Sequence, residues 1–407
     1  MRKPRAFRPD ATWRRVGADR RIVLAGSPLR LFRFTAAGAE MLDAIESGAA
    51  VDDSSLVRRL VDSGAIHPVP TPPPSYKPGD VTIVTPQLGG RVADDERITV
   101  DDGSMPPVAG ATIRLHQNQG PAAARNAGRT AVNTSLVAFV DSDVDLGAMD
   151  EWLLPLLGHF DDPRVGLVAP RVIGEAHSPL DLGEELARIR AGTRVSYVPT
   201  AAIVMRTDAF DDIGGFDERL RFGEDVDAVW RLDDAGWTCR YEPAARVHHR
   251  PRATFVGRLR QHGGYGTSVA PLALRHTRRL APIRMNRWNL AAWSSLAVGH
   301  PVVAAVAAIA GAANVRRQLP DVPNADVARL NVRSQIENGR QITAAVRRVW
   351  WPIVALLSIV SKRARLVGLA ALLASPSTAA DDLAYGVGVW RGVFRHRSGA
   401  GLRPDIT

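Results

Sequence analysis

Apolar and polar positions change rhythm three times along the chain, and each change marks a different kind of element. Residues 27–34 alternate as a strand or strand pair does. Thr35 then offers an N-cap for a helix over 36–45 that stops near Ser47-Gly48, and a second helix over 54–62 stops at Ser63-Gly64. Ile66-His67-Pro68-Val69-Pro70 closes this small unit. Five prolines between Pro70 and Gly79 predict a stiff, extended linker.

From Val81 the rhythm is one of short apolar runs alternating with helical stretches. Strands are expected at 81–85, ended by Pro86, and at 98–100, 112–115, 136–140 and 165–169, with helices at 121–132 and 149–160. That alternation predicts an α/β domain with a largely parallel sheet. Such sheets bind ligands at the C-terminal ends of their strands, and the acidic residues here follow the strands rather than interrupt them.

The last third reads differently again. Apolar runs at 302–313, 350–360 and 366–374 each fall short of the ~18 residues that a lone span needs. Arg347, Arg348, Lys362, Arg363 and Arg365 flank the last two runs, and Trp350 and Trp351 sit at one edge. Short apolar segments with basic and aromatic flanks suggest interfacial helices or a shallow hairpin at a membrane face; a buried helical subdomain is the alternative. The expected parts are a small module over 1–70, a linker over 71–80, a catalytic domain over 81–255 and a basic helical region over 256–407.

Charge sharpens this picture. The chain carries 52 Lys+Arg against 42 Asp+Glu, a net charge of +10. No acid lies between Glu242 and Asp321, a stretch with twelve arginines. Such a field attracts acidic lipid, nucleic acid or diphosphates, although an ordinary basic face reads the same way. No basic platform interleaved with aromatics is visible, which argues against nucleic acid. Cys239 is the single cysteine, so a disulfide framework and a Cys-built metal site are excluded. A reducing, cytoplasmic setting is the simpler expectation. The first twenty residues hold seven Arg/Lys and no apolar run, so no signal peptide is expected.

Several motifs carry chemistry. Asp141-Ser142-Asp143 follows the 136–140 run and places two carboxylates at one strand end, where hard cations such as Mg²⁺ or Mn²⁺ take oxygen ligands. Asp101-Asp102-Gly103-Ser104 follows another strand, where an Asp can accept from a nucleotide base or ribose, or simply form a turn. In Asn118-Gln119-Gly120-Pro121, Pro121 suits a first helical position and the helix start offers free N–H groups to an anion; Arg125 and Asn126 lie one turn in. Glu224 or Asp225 is expected to cap the next helix, whose N-terminus favours an ionised carboxylate fit to act as a general base. His248 and His249 sit on a short strand whose side chains alternate, so one of the two faces a site and can complete a metal shell.

Taken in order, these motifs resemble family 2 glycosyltransferases, which have a GT-A fold, over residues 81–250. The series is Pro86, Asp101-Asp102-Gly103-Ser104, the Asn118–Gly128 segment, Asp141-Ser142-Asp143, Gly214-Gly215-Phe216-Asp217, Gly223-Glu224-Asp225 with Arg231-Leu232, and Val247-His248-His249. Residues 11–70 resemble PqqD-like winged-helix modules that hold modified peptides. With the Pro243–His249 ending and Tyr265-Gly266-Thr267-Ser268, the chain is similar to the glycosyltransferases of mycofactocin systems. That resemblance implies a β-1,4-linked glucose chain built from UDP-glucose on a peptide-derived redox cofactor. It implies a nucleotide-sugar pocket at Pro86, Asp101, Asp102, Arg125, Asn126, Asp141 and Glu224, with Arg231 near the diphosphate. It also implies a divalent cation, Mg²⁺ or Mn²⁺, at Asp143 and His249, and Asp225 as the base of an inverting transfer. The expected setting is the cytoplasmic face of a membrane.

One departure stands out. Only eleven residues separate Pro86 from Ile98, where the family has a full helix and a parallel crossover ordinarily takes a dozen residues or more. The first helix is therefore expected to be missing. That raises the alternative of an impaired protein that binds nucleotide-sugar or the peptide cofactor without turnover.

Overall fold

The computed structural model describes residues 4–92, 96–174, 180–250 and 254–407. The chain divides into two compact units, one of Met1–Arg15 with Asp19–Pro251 and one of Val16–Ala18 with Arg252–Thr407.

The first unit contains a small module with its own core. A hairpin pairs Ile22–Ala25 with Arg30–Arg33, so the strand pair has a first strand that the alternation at 27–34 did not reveal. Thr35 caps a helix over Ala36–Glu46, and Ser54 caps another over Ser55–Asp62. Phe7–Pro9 pairs antiparallel with Ile66–Pro68. Leu42, Ile45, Leu60 and Ile66 are fully buried between these elements. Salt bridges join the module to the sheet domain of the same unit: Arg194 to Asp10 at 3.1 Å and Arg188 to Asp62 at 3.2 Å. The proline-rich stretch is docked as well. Arg206 donates to the Tyr76 hydroxyl at 2.6 Å, and its guanidinium lies 5.5 Å from that ring.

The sheet is built from β1 (Val81–Gln87), β2 (Ile98–Asp102), β3 (Ile113–Leu115), β4 (Leu136–Val140), β5 (Val165–Ile173), β6 (Ala202–Arg206) and β7 (Thr238–His249). Their order is β3-β2-β1-β4-β6-β5-β7, with the short strand Val144–Asp145 antiparallel at the outer edge of β7. All pairs from β3 to β4 are parallel, as is β5 with β7. β6 runs antiparallel to both neighbours, β4 and β5. The largely parallel α/β sheet is thus present, with reversed strands that periodicity did not disclose: β6 inside it, and Val144–Asp145 and Ala187–Ile189 against β7. Pro86 does not end β1: it keeps register with Val100 of β2 and lies past the last residue paired with β4, at Val84.

The crossover from β1 to β2 spans residues 88–97 and contains no helix among the described residues; Ala93, Asp94 and Asp95 lie outside them. The crossover from β2 to β3, residues 103–112, lacks a helix too. Side chains hold both loops instead. Gln87 donates to the Gly89 and Arg91 carbonyls, and the Gly89 amide donates to Ser104 Oγ at 2.7 Å. α1 (Pro121–Arg129) covers β1 and β2 on one face, so closely that a Cβ at Gly128 would strike Val84 and Val100. Leu136, Ala138, Val140, Leu156, Val168 and Val204 belong to one buried core against the sheet.

The second unit is helical. Phe255–Thr267, Val269–Arg275, Arg287–Ala297 and Pro301–Gln318 come first. Asn324–Ala345 then continues through a π-turn at Val346–Trp350 into Trp351–Val360, making one 37-residue helix. This corrects the reading of 350–360 as an isolated short segment: the fused helix is long and apolar enough to cross a membrane by length and composition. Lys362–Leu373 and Ala379–His396 follow. Arg347, on the π-turn, is buried and spans two partners, Asp382 at 2.8 Å and the Ala371 carbonyl at 2.6 Å.

Glycines set the closest helix contact in this unit. A Cβ on Gly266 would run into the Tyr385 carbonyl, and one on Gly388 into the Gly263 carbonyl. Backbone packs on backbone there, as small residues allow. Gly266→Ala should therefore destabilise this unit by about 1–3 kcal/mol, the usual cost of overpacking. Thermal unfolding followed by circular dichroism checks this; an unchanged melting temperature would mean that the helices shift freely.

Candidate active site

The sequence-predicted residues come from six elements, and the sheet decides where most of them stand. β4 is an unbroken apolar strand, buried throughout, that delivers Asp141 at its C-terminal end. The Asp141 amide donates to the Ala201 carbonyl at 2.9 Å, which pins the turn. The chain then doubles back as Val144–Asp145, which pairs with His249 and His248 of β7. That pairing brings His249 Nε2 to 3.4 Å from Asp143 Oδ2. His248 is exposed while His249 is half-buried, as strand alternation requires.

α2 (Glu224–Asp234) delivers the two acids expected at a helix start. Neither caps it. Gly223 holds the N-cap position at φ 80, in the left-handed region glycine favours, and Glu224 and Asp225 occupy the first turn. Glu224 points inward to Arg125 of α1. The Arg125 guanidinium donates to Glu224 Oε1 at 3.0 Å and to Asp141 Oδ1 at 2.6 Å, joining α2 to the end of β4. Arg125 is 2% exposed and lies 5.6 Å from the Phe216 ring, which packs against Phe139 and Phe210.

Burial governs the ionisation of this cluster. Desolvation raises Glu224 above the ordinary carboxylate range, against the pull of Arg125. Burial first, and the adjacent Glu224 charge second, push the Asp225 carboxyl up to about 7. The expectation that the helix N-terminus keeps Asp225 ionised therefore needs correction: the dipole is outweighed by lost hydration and a like charge. A group titrating near neutrality is nonetheless suited to take a proton.

Other expected donor residues are engaged with the protein itself. Asp101 is fully buried, and its carboxylate accepts from the Ser104 amide at 2.9 Å and the Val108 amide at 3.1 Å. Asp102 accepts from the Gln119 and Gly120 amides at 2.7 and 2.8 Å, which fixes the loop leading into α1. Gly103, at φ 71, lies so close to Gln117 and Asn118 that any Cβ would clash. Asn126, expected at the donor, clamps another loop: its Oδ1 accepts from the Phe216 amide at 3.0 Å, and its Nδ2 donates to the Phe216 carbonyl and to Glu218.

Arg231 is tied into the protein. It donates to the Ile213 and Gly215 carbonyls and pairs with the fully buried Asp227 at 2.7 Å. It stands six residues along α2 from Asp225, about 9 Å by helical rise, and it holds the 213–215 loop. Pro86 sits at the C-terminal end of β1, one register step from Asp101.

Sequence reasoning missed the ion pairing of Arg125 and the contact of Arg221 with Asn118, at 2.8 Å across the two loops. A charge count supplied a hint: the motifs place several acids at the strand ends and one arginine on α1.

The cation expected here has two protein ligands on hand. Among the described residues no group of three or more His, Cys, Asp or Glu gathers at one point. A carboxylate and an imidazole side by side fit a divalent ion that takes its remaining ligands from substrate phosphates and water, as Mg²⁺ commonly does.

Residues 92–183 match the family model described as Glycosyl transferase family 2. The chain is 37% identical to the pre-mycofactocin glycosyltransferase of Mycobacterium tuberculosis (strain ATCC 25618 / H37Rv), over 96% of each chain. A 62-residue stretch is 42% identical to the N-acetylglucosaminyl-diphospho-decaprenol L-rhamnosyltransferase of the same strain, covering 15% of this chain and 20% of that protein. Among solved structures, the mannosyltransferase PcManGT from Pyrobaculum calidifontis, in complex with GDP-Man and Mn²⁺, aligns over 80% of this chain and 89% of its own, with 16% identity and a TM-score of 0.46. An identity of 37% along nearly the whole length of a named glycosyltransferase, the matching family model and the mostly parallel sheet with its acids at the strand ends lead to one conclusion: this chain belongs to the pre-mycofactocin glycosyltransferases, enzymes of glycosyl transferase family 2 with a GT-A fold.

Proposed function

We propose that this glycosyltransferase moves glucose from UDP-glucose to a hydroxyl of a peptide-derived redox cofactor, mycofactocin, or of the β-1,4-glucan growing on it, with inversion at the anomeric carbon. The observation that carries the reading is the pairing of Arg125 with Asp141 and Glu224, which sets Asp225 next in the chain to that pair, with the Asp143–His249 pair two residues from Asp141. Asp225 takes the proton of the acceptor hydroxyl. The acceptor oxygen bonds to the anomeric carbon from the face opposite the nucleotide, and the bond to the diphosphate oxygen breaks, leaving UDP with the electron pair. A single displacement inverts the centre and needs no covalent enzyme intermediate. Asp143 and His249 would hold a divalent cation, Mg²⁺ or Mn²⁺, which would supply positive charge to offset that of the leaving diphosphate. Asp101 and Asp102 shape the nucleotide side of the pocket by holding its loops, and Pro86 lines the end of β1. The module over 1–70 holds the peptide part of the acceptor.

We also propose that the second unit rests on the cytoplasmic face of a membrane. Support comes from its exposed apolar side chains, among them Val302, Ile309, Leu356, Val360 and Leu373, and from the arginines between Arg252 and Arg317. Apolar surface on this scale seldom faces water without a partner, and the basic charge suits anionic headgroups.

Purified protein incubated with a panel of UDP-sugars, Mg²⁺ or Mn²⁺ and acceptor tests the reaction through UDP release. Asp225→Asn should bind UDP-glucose about as well as the parent while transfer falls by roughly 10²- to 10⁴-fold, the usual worth of a positioned acid–base group. Normal turnover in that variant would refute the base. His249→Ala should weaken the response to metal and His248→Ala should not; the reverse result moves the ligand to His248. On cell fractionation the protein should pellet with membranes and be partly released by high salt, because headgroup attraction is screened. Full recovery in the soluble fraction at low salt would exclude the membrane assignment.

A further inference from the structure

We infer that Arg125 is a positioning residue that sets the protonation of Asp225 at a distance, by holding the Glu224 carboxylate neutralised beside it and tied to Asp141. The inference rests on the reading of Asp225 as the base.

Glu224 and Asp225 are consecutive on the first turn of α2; Glu224 is buried and Asp225 is half-buried. Two adjacent carboxylates in such a place disfavour each other's charge. The charged groups that bear on Asp225 are Glu224 on its own helix and Arg125 across from it on α1. Asp141, at the end of β4, bears on Glu224 and shares Arg125 with it. One guanidinium thus offsets two acids from separate elements, and neither of these hydrogen bonds is to Asp225.

Arg125 is also fixed in place. It is 2% exposed and faces Phe216, whose amide and carbonyl are held by Asn126, the next residue on α1. Its amine groups are turned to protein carboxylates rather than to the opening of the site. The contribution of Arg125 is therefore charge and geometry delivered through Glu224. With that charge present, Asp225 titrates close to neutral pH; without it, the base would stay protonated and unable to accept the acceptor's proton.

The test follows the Asp225 carboxyl directly in the full chain labelled with ¹³C at the aspartate carboxyl, its signal identified by loss in Asp225→Asn. Arg125→Met should raise the titration midpoint by about one pH unit, and Glu224→Gln should lower it by about as much. These opposite shifts are what a charge mechanism demands and what general loosening of the site would not produce. Unmoved midpoints in folded variants, or shifts in the same direction, would overturn the inference. Should Arg125→Met fail to fold, Glu224→Gln alone decides: a lowered midpoint supports the coupling and an unchanged one overturns it. The pH profile of UDP release from UDP-glucose with acceptor separates the two ideas. If the midpoints move as stated and the acidic limb of the profile does not follow, the coupling stands and the base assignment falls.

Discussion

One buried guanidinium joins the halves of this catalytic domain. Arg125 lies on α1 and bonds both to Asp141 at the end of β4 and to Glu224 at the start of α2. Removing one partner of a buried ion pair ordinarily costs roughly 3–5 kcal/mol, because it strands a charge away from water. Both terminal nitrogens of Arg125 are paired with carboxylates, while its buried Nε has no hydrogen-bond partner. The aromatic group of Phe139, Phe210 and Phe216 excludes water on one side, and Asn126 fixes Phe216 through its backbone. Asp141 of the Asp141-Ser142-Asp143 motif and Glu224, beside the proposed base, are therefore held in register by a single side chain. Catalytic geometry here depends on charge balance as much as on strand placement.

The sheet meets a second constraint by unusual means. Parallel neighbours generally need a helix to carry the chain back, and β1, β2 and β3 are connected without one among the described residues. Polar side chains at the strand ends take over the task of satisfying loop amides. Asp101 accepts from Ser104 and Val108, Asp102 from Gln119 and Gly120, and Ser104 from Gly89. Two acids that resemblance places at the nucleotide thus serve the loops that border it. The shortened crossover leaves the β1–β2 register intact from Val84 to Gln87.

The helical unit follows a different logic. Glycines bring Phe255–Thr267 and Ala379–His396 into backbone contact, and Arg347 is buried against Asp382 and the Ala371 carbonyl. Its buried apolar clusters, around Val269, Val349 and Val389 and around Ile283 and Met285, are small, while many large apolar side chains face outward. In water that distribution is unfavourable, since burial of such side chains is worth roughly 1.5–3 kcal/mol each; at a lipid surface it is not. The proposed membrane contact rests on this inversion.

Much of the catalytic fold was legible in the sequence, because its signals are local. Apolar runs mark β1, β2, β4 and β5, Pro121 marks the start of α1, and strand alternation singles out one histidine of the pair. The spacing of Asp141, Asp143, Asp225 and Val247-His248-His249 carried the family resemblance. Tertiary structure decided what those residues do. Arg125 finds Glu224 ninety-nine positions away and Arg206 finds Tyr76 across 130, separations over which no periodicity speaks. The reversal of β6, the clamping roles of Asn126 and Arg231, and the fusion of two helices through the π-turn were likewise settled by packing. Asp225 shows the reason most directly: a helix start predicts an ionised acid, but its ionisation depends on how much water the folded chain removes and on which charges it brings alongside.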